Sequence, residues 1–273
     1  MIVIPLDPLL LSLGPLTLRW SNLLGLVAIG VAIWLTPREA RTLGVGRRPI
    51  LDALVWAIPV GVLTARIVHV LGWWDYYLTR PGDIWQLGPD GLSLWGGLVG
   101  GGLVALAVLG RRRRERRARA LDAAAPGLAL GIAIGRLGMF LDGAGQGRPA
   151  DVAWATRYTS PLSATPDFGV PRHPAQVYDG LVGLALLGLI WALRGRLPDG
   201  WRTWLFVVGY AAARVAFGAV RLDPPFLFGL QIEQLIALGC LLAASVAGAR
   251  RALGRAAPHP RAVEHARDES LAA

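Results

Sequence analysis

Long apolar runs, separated by short polar loops that carry arginine, form the main pattern of this chain. Most of the runs approach or exceed the roughly 20 apolar residues that a helix needs to cross a bilayer. We predict seven such helices, at residues 18–35, 50–71, 92–109, 121–141, 175–193, 201–220 and 226–247. The pattern therefore predicts an all-α, polytopic membrane protein.

The arginines in the loops predict how these helices are oriented. The loops after the first, third and fifth helices and the C-terminal segment are rich in arginine, whereas those after the second and sixth are not. Because positively charged loops stay on the cytoplasmic side, we expect the N-terminus outside and the C-terminus in the cytoplasm. We interpret residues 1–248 as one membrane domain, residues 142–172 as an extracytoplasmic arm and residues 249–273 as a disordered tail.

Composition and charge support the membrane class and narrow the partners. Of the residues, 54% are hydrophobic, the mean hydropathy is +0.47, and the net charge of +10 comes from arginine without any lysine. Because the arginines fall in short loops between apolar runs, they indicate orientation in a membrane, and we expect no nucleic-acid partner. The single cysteine, Cys240, lies in an apolar run and is expected in the core. The N-terminus does not have the pattern of a cleavable signal peptide.

An arginine- and glycine-rich stretch at the end of the fourth predicted helix is the first candidate for a site. Residues 135–148 have the sequence GRLGMFLDGAGQGR, which places Arg136, Asp142 and Arg148 among several glycines. A charge near the end of a membrane helix is costly and usually has a partner or a task. A capped helix end with a snorkelling arginine is the alternative. We favour a site for an anionic headgroup, since arginine binds phosphate bidentately.

Candidate groups for proton transfer are few. His69 lies in the second predicted helix, where we interpret it as structural, whereas His173 begins the fifth helix and both a structural and a base role stay open. The carboxylates at or within the predicted helices are Asp52, Asp142, Asp179 and Glu233. No metal-ligand spacing, nucleophile triad or phosphate loop is present in the sequence, so we expect neither a metal nor a cofactor.

These motifs together resemble a known family. The stretch 135–148 is similar to the signature of the prolipoprotein diacylglyceryl transferases, roughly G-R-x-G-N-F-x-N-x-E-x-x-G-R. Residues 173–179, HPAQVYD, resemble the family's H-P-[ST]-Q-L-Y-E. Further matches are Arg66 in a motif like G-R-[LI], Tyr210, Arg214 and Arg221 in Y-x-x-x-R-x-x-x-E-x-x-R, and Gln234 in the last helix. The resemblance covers most of the chain and implies a seven-helix protein of the bacterial cytoplasmic (inner) membrane.

The sequence departs from the family pattern at positions that carry hydrogen bonds or protons. Met139 and Asp142 replace the family's two signature Asn residues, and Ala144 replaces its signature Glu. Trp95 replaces the His of its H-G-G motif, Ser21 a Tyr of the first helix and Gly218 a Glu of the sixth. The retained positions are mostly arginine and glycine. The chain thus keeps the residues that would bind phosphate and pack helices.

The resemblance implies transfer of a diacylglyceryl group from phosphatidylglycerol to the lipobox cysteine of a prolipoprotein signal peptide. On this hypothesis the arginines hold the phosphate, and one of Asp142, Glu233 and His173 acts as the base. The implied catalytic residues are Arg136, Asp142, His173, Tyr210 and Arg214. The implied substrate-binding residues are Arg66, Gly138, Gly147, Arg148, Gln176, Tyr178, Arg221 and Gln234.

Two other functions stay open on the sequence. The first is a non-catalytic paralogue that binds phospholipid or a lipoprotein precursor without turnover. The second is a small transporter or scaffold of unrelated chemistry. A transporter of this size is expected to show an internal repeat with interrupted helices, and the sequence shows none.

Overall fold

The computed structural model describes residues 1–13, 16–85, 91–110 and 113–256, and they are mostly helical. Six of the described helices are long and apolar enough to cross a membrane, and a seventh apolar helix has 16 residues. The helices are α1 (Trp20–Thr42), α2 (Arg47–Gly72), α3 (Trp74–Thr79), α4 (Leu94–Leu109), α5 (Arg114–Asp142), α6 (Ala175–Ala192), α7 (Trp201–Phe217) and α8 (Ile232–Ala256). The prediction of an all-α, polytopic membrane protein is confirmed, and the orientation of its termini stays a prediction.

Several helix ends differ from the predicted ones. The fourth predicted helix begins earlier, at Arg114, and the seventh begins later, at Ile232. Residues 226–230 are apolar but form a tight turn, with a bridge between Leu227 and Leu230 and a positive φ of 53° at Phe228. Helix α8 runs to Ala256, past the start of the predicted tail, and residues 257–273 lie outside the described residues.

Four short strands lie in the N-terminal segment and the predicted arm, and one pair of them links the two. Strand β1 (Ile2–Ile4) pairs in parallel with β4 (Thr156–Tyr158), and β2 (Leu9–Leu13) pairs antiparallel with β3 (Leu16–Arg19). We predicted no strand in this N-terminal segment. Because β1 supplies the partner of β4, the N-terminal segment and the arm form one structural unit.

Small residues bring the helices close together, as is common between membrane helices. A Cβ atom on Gly183 of α6 would lie 2.8 Å from the Ala129 carbonyl oxygen of α5. On α4, a Cβ atom on Gly100 would lie 2.0 Å from Thr64 Oγ1 of α2. Helix α5 packs against α1 and α6, and Cys240 of α8 packs, partly buried, against the core between the helices.

A buried carboxylate holds the start of α7. Asp122 of α5 accepts hydrogen bonds at 2.8 Å from both the backbone N–H and the hydroxyl group of Thr203. The first N–H groups of a helix have no partner within it, so a carboxylate there satisfies them and favours the helix dipole. This contact fixes the helix that carries Tyr210 and Arg214 further along.

Candidate active site

Asp179, near the start of α6, binds two arginines from different parts of the chain. Its Oδ2 atom lies 3.1 Å from Arg136 Nη2 and 3.1 Å from Arg221 Nη1. The three side chains are at most 9% exposed. This shared carboxylate holds α5, α6 and the segment after α7 together and keeps two guanidinium groups side by side.

Arg214 of α7 is held from one side only. Its Nη2 atom lies 2.8 Å from Asp223 Oδ2, 3.0 Å from Glu233 Oε2 and 3.1 Å from Gln231 Oε1. The Nε and Nη1 atoms of Arg214 are buried and have no hydrogen-bond partner among the described residues. Because buried donors are normally paired, these two groups suit an acceptor such as a phosphate oxygen.

Asp223 joins Arg214 to the rest of the cluster. Its Oδ2 atom also lies 2.8 Å from Arg221 Nε. Burial alone would raise the pKa of Asp223, but Arg221 and Arg214 outweigh burial and hold this pKa well below its ordinary value. Asp223 therefore stays ionised and holds two of the three arginines in place.

A cavity of about 80 Å³ opens beside this cluster. It has several times the room needed for one water molecule. Its polar lining comprises His69, Ser93, Arg136, Arg221, Asp223, Gln231 and Glu233. Arg136 Nη1 contacts Met139 Sδ at 3.0 Å, and since a thioether accepts hydrogen bonds only weakly, this donor stays available to a better acceptor.

Several predicted site residues lie instead where the arm meets α6. Tyr178 Oη accepts a hydrogen bond from Trp154 Nε1 at 2.7 Å and lies 3.1 Å from His173 Nδ1. Gln176 is fully buried, and its Nε2 atom lies 3.4 Å from Tyr158 Oη. These three predicted residues do not line the cavity beside the arginines.

Asp142 faces the start of α1. Its Oδ2 atom accepts hydrogen bonds from Arg19 Nε at 3.3 Å, from the Ser21 backbone N–H at 3.2 Å and from the Ser21 hydroxyl group. The carboxylate thus acts as a cap for α1, supplied by the end of α5. It does not line the cavity, so the structure does not bring this predicted base to the arginines.

Arg66 is used to hold a loop. Its guanidinium group donates to the backbone oxygens of Asp83 and Gly91 at 2.7 Å and of Ile84 at 2.8 Å. A guanidinium group has five N–H donors, and at least three of them are used here. These contacts account for the cost of placing Arg66 in an apolar helix.

Both predicted binding glycines are packing positions. A Cβ atom on Gly138 would lie 2.9 Å from Leu24 Cβ of α1, and one on Gly147 would lie 2.3 Å from the Val220 carbonyl oxygen. Next to Gly147, the exposed Arg148 donates from its backbone to Val220 O at 2.8 Å and from Nε to Arg221 O at 3.2 Å. The end of the signature stretch thus ties the arm to the segment after α7.

The sequence motifs also agree with a known family over their whole extent. Residues 8–249 match the family model described as prolipoprotein diacylglyceryl transferase. The chain belongs to the prolipoprotein diacylglyceryl transferase family. The resemblance stated from the motifs is thereby confirmed over 242 of the 273 residues.

Individual members of the family match at similar levels. The phosphatidylglycerol–prolipoprotein diacylglyceryl transferase of Dehalococcoides mccartyi is 34% identical over 240 residues, which cover 87% of this chain and 91% of that protein. The proteins of the same name from Synechococcus elongatus and Bordetella parapertussis are each 33% identical. These two alignments cover 85% and 87% of this chain, and 82% and 92% of the relatives.

Two positions where the chain departs from the family motifs are filled in the structure. Trp95, in place of the motif's His, stacks on Tyr210 with ring centroids 5.4 Å apart. A Cβ atom on Gly218, in place of the motif's Glu, would lie 1.8 Å from Gln234 Nε2. Gln234 is held there because its Oε1 atom accepts the Gln231 backbone N–H at 3.1 Å.

The sequence pointed to the arginines and missed some of their partners. Asp223 and Gln231 were not predicted as site residues, and Asp179 was noted only as a carboxylate at a helix border and within its motif. The spacing of Asp223 two residues after Arg221 and the place of Asp179 in the HPAQVYD motif are the signals that could have indicated them.

Proposed function

We propose that this chain transfers a diacylglyceryl group from phosphatidylglycerol to the lipobox cysteine thiol of a prolipoprotein in the bacterial cytoplasmic membrane. The observation that carries the proposal is Arg214, which is 2% exposed and has Nε and Nη1 atoms without a partner among the described residues. The family relationship supplies the reaction. An anionic phosphodiester headgroup is the acceptor that these groups suit.

The arginines are placed for binding the phosphate and for stabilising its departure. When the thiolate attacks the glyceryl carbon, the carbon–oxygen bond breaks and negative charge increases on the phosphate that leaves with glycerol. Arg214 can donate two further hydrogen bonds to this phosphate, and Arg136 and Arg221 lie at the adjoining cavity. Fixed cations in a site shielded from water stabilise such charge without reorganisation.

The hydroxyl group of Tyr210 adds a further donor. It is buried, has no hydrogen-bond partner among the described residues, and lies on the same face of α7 as Arg214, one turn earlier. On the proposed function it orients the phosphate or glycerol of the headgroup. The signal peptide of the prolipoprotein, with its lipobox cysteine, is the second substrate.

A complementation experiment tests the proposal. The chain is expressed in cells depleted of their own diacylglyceryl transferase, and a lipobox substrate is followed by its mass shift. We expect the wild-type chain to produce the shift and Arg214→Ala to abolish it. Arg214→Lys keeps the positive charge but loses the planar set of guanidinium donors. This variant should therefore also produce no mass shift, although it still inserts in the membrane.

A matched control uses an arginine outside the cluster. Arg119 pairs with Asp199 at 2.7 Å where both side chains are more than a third exposed, so Arg119→Ala should retain the shift. A wild-type chain that inserts and binds phosphatidylglycerol vesicles but produces no mass shift contradicts the proposal. That result would favour the phospholipid-binding paralogue, for which the replacement of the motif's His and Asn by Trp95 and Met139 is the supporting observation.

A further inference from the structure

His69 lies at the cavity of the arginine cluster, although we predicted a structural role for it from the sequence. It belongs to the last turn of α2, is half-buried, and shares the cavity lining with Arg136, Arg221 and Glu233. The family motif's His falls at Trp95, on a different helix, where the indole ring accepts no proton. We propose that His69 is the proton acceptor for the cysteine thiol in this chain, an inference that rests on the proposed function.

Aromatic contacts fix the ring of His69 and leave its nitrogen atoms unused. The ring stacks near Trp73, with centroids 6.3 Å apart and planes inclined by 27°, and meets Tyr77 edge-on at 6.0 Å. Among the described residues, charged groups act on the His69 ring through space, and none is found to do so through a hydrogen bond. A neutral imidazole in this position has one nitrogen atom that can accept a proton from a substrate in the cavity.

The other candidate bases are occupied or lie elsewhere. Glu233 accepts Ser93 Oγ at 2.7 Å with one oxygen and pairs with Arg214 at 3.0 Å with the other. Both carboxylate oxygens of Glu233 are therefore already engaged within the protein. Asp142 caps α1, and His173 lies beside Tyr178, away from the cavity lining.

His69 takes the thiol proton before the thioether bond forms. The Sγ–H proton of the lipobox cysteine moves to a ring nitrogen of His69, and the resulting thiolate forms an S–C bond with the glyceryl carbon. The C–O bond to phosphate breaks, its electron pair stays on the phosphate oxygen, and glycerol phosphate leaves with one more negative charge. His69 then returns its proton to that phosphate or to water.

Several charged groups around His69 act together on the protonation of its ring. Arg66 precedes it on the same helix, Tyr77 of α3 meets its ring, and the other charged groups line the cavity. These groups are Arg136 of α5, Arg221 and Asp223 of the segment after α7, and Glu233 of α8. Because a protonated imidazole ring cannot accept the thiol proton, we expect the rate to fall at acidic pH as His69 becomes protonated.

The experiment measures initial rates of lipidation across pH, with the purified full-length chain in phosphatidylglycerol vesicles and a lipobox peptide. We expect His69→Gln to lower kcat by about 100-fold, the usual range for loss of a general base, and to leave KM for the lipid within about twofold. The wild-type rate should fall as the pH is lowered through the titration of His69, and this acidic limb should be absent from the residual rate of the variant.

Two further variants keep the outcome clear. His69→Phe preserves an aromatic ring between Trp73 and Tyr77. It should lose the same rate while inserting in the vesicles normally. His259→Gln is the matched control at a histidine outside the described residues and should retain the rate and its pH profile.

Two results overturn the inference while the proposed function stands. One is an active wild-type chain whose rate and pH profile are unchanged in His69→Gln. The other is an acidic limb that persists in His69→Gln and disappears in Glu233→Gln. A wild-type chain without any product contradicts the proposed function itself.

Discussion

Trp95 and Tyr210 stack in the core of the helix bundle, with ring centroids 5.4 Å apart and planes inclined by 21°. Both carry a buried donor without a partner among the described residues, Trp95 Nε1 and Tyr210 Oη. The stack accounts for the position of the Tyr210 ring, whereas its hydroxyl group lies near the Arg136 guanidinium group without a hydrogen bond of good geometry among the described residues. A substitution that removes the hydroxyl group and keeps the ring can therefore distinguish the roles of the two.

Tyr210→Phe should separate packing from substrate binding. The ring stack is kept, and the loss of an unpaired buried hydroxyl group should leave the unfolding temperature in detergent unchanged or slightly raised. A lost hydrogen bond to a charged group costs about 1.5–3 kcal/mol, so we expect lipidation to slow about 10- to 100-fold. A variant of lower stability and normal rate would show that the hydroxyl group is structural.

Asp179→Asn should destabilise the protein because it leaves two buried arginines without their shared carboxylate. Removing one partner of a buried ion pair costs about 3–5 kcal/mol, which we expect as a clear fall in the unfolding temperature. Asp199→Asn, which breaks the exposed pair with Arg119, is the control and should show no measurable change. Equal effects of the two substitutions would contradict a buried, structurally required cluster.

Gly147→Ala should loosen the arm. The new Cβ atom would lie 2.3 Å from the Val220 carbonyl oxygen, so the backbone must shift, at a cost of about 1–3 kcal/mol for an overpacked site. Gly188→Ala on α6 has nothing within 4 Å of the added atom and should leave stability unchanged. We expect faster proteolysis of the arm in the first variant only, and equal proteolysis would argue against this contact.

Asp223 predicts how stability depends on pH. Its pKa is lower in the folded state than the value of about 3.9 in an unfolded chain, so its contribution is present above that value and is lost as the pH falls toward the folded pKa. Asp223→Asn should therefore lower the unfolding temperature by a constant amount between pH 5 and 8. The difference in unfolding temperature between wild type and variant should become smaller only below about pH 4. A smaller difference already near neutral pH would contradict a lowered pKa of Asp223.

The membrane helices could be predicted because a bilayer requires long apolar helices whatever the tertiary fold. The strand at Thr156–Tyr158 could not, since its partner lies at Ile2–Ile4, far away in the sequence. Residues 226–231 were wrongly predicted as helical because all but the last of them are apolar. Their turn depends on the positive φ values at Phe228 and Gly229, which hydropathy does not reveal.

The site was predictable as far as its arginines. Arginine is so costly in an apolar helix that Arg136 and Arg214 are noticeable without a structure. What each arginine contacts depends on tertiary packing, so Arg66, predicted to bind substrate, instead binds the carbonyl groups of a loop. His69 showed no sequence motif, and only the folded cavity places it beside the cluster.

The pairing of β1 with β4 also has a consequence for biogenesis. Strand β1 is made before its partner, which follows after more than 150 residues that include α1, α2, α4 and α5. Closing so long a loop must wait until these helices are in the membrane. The arm is therefore completed late, and until then the nascent chain has an unpaired apolar strand that is open to non-native contacts.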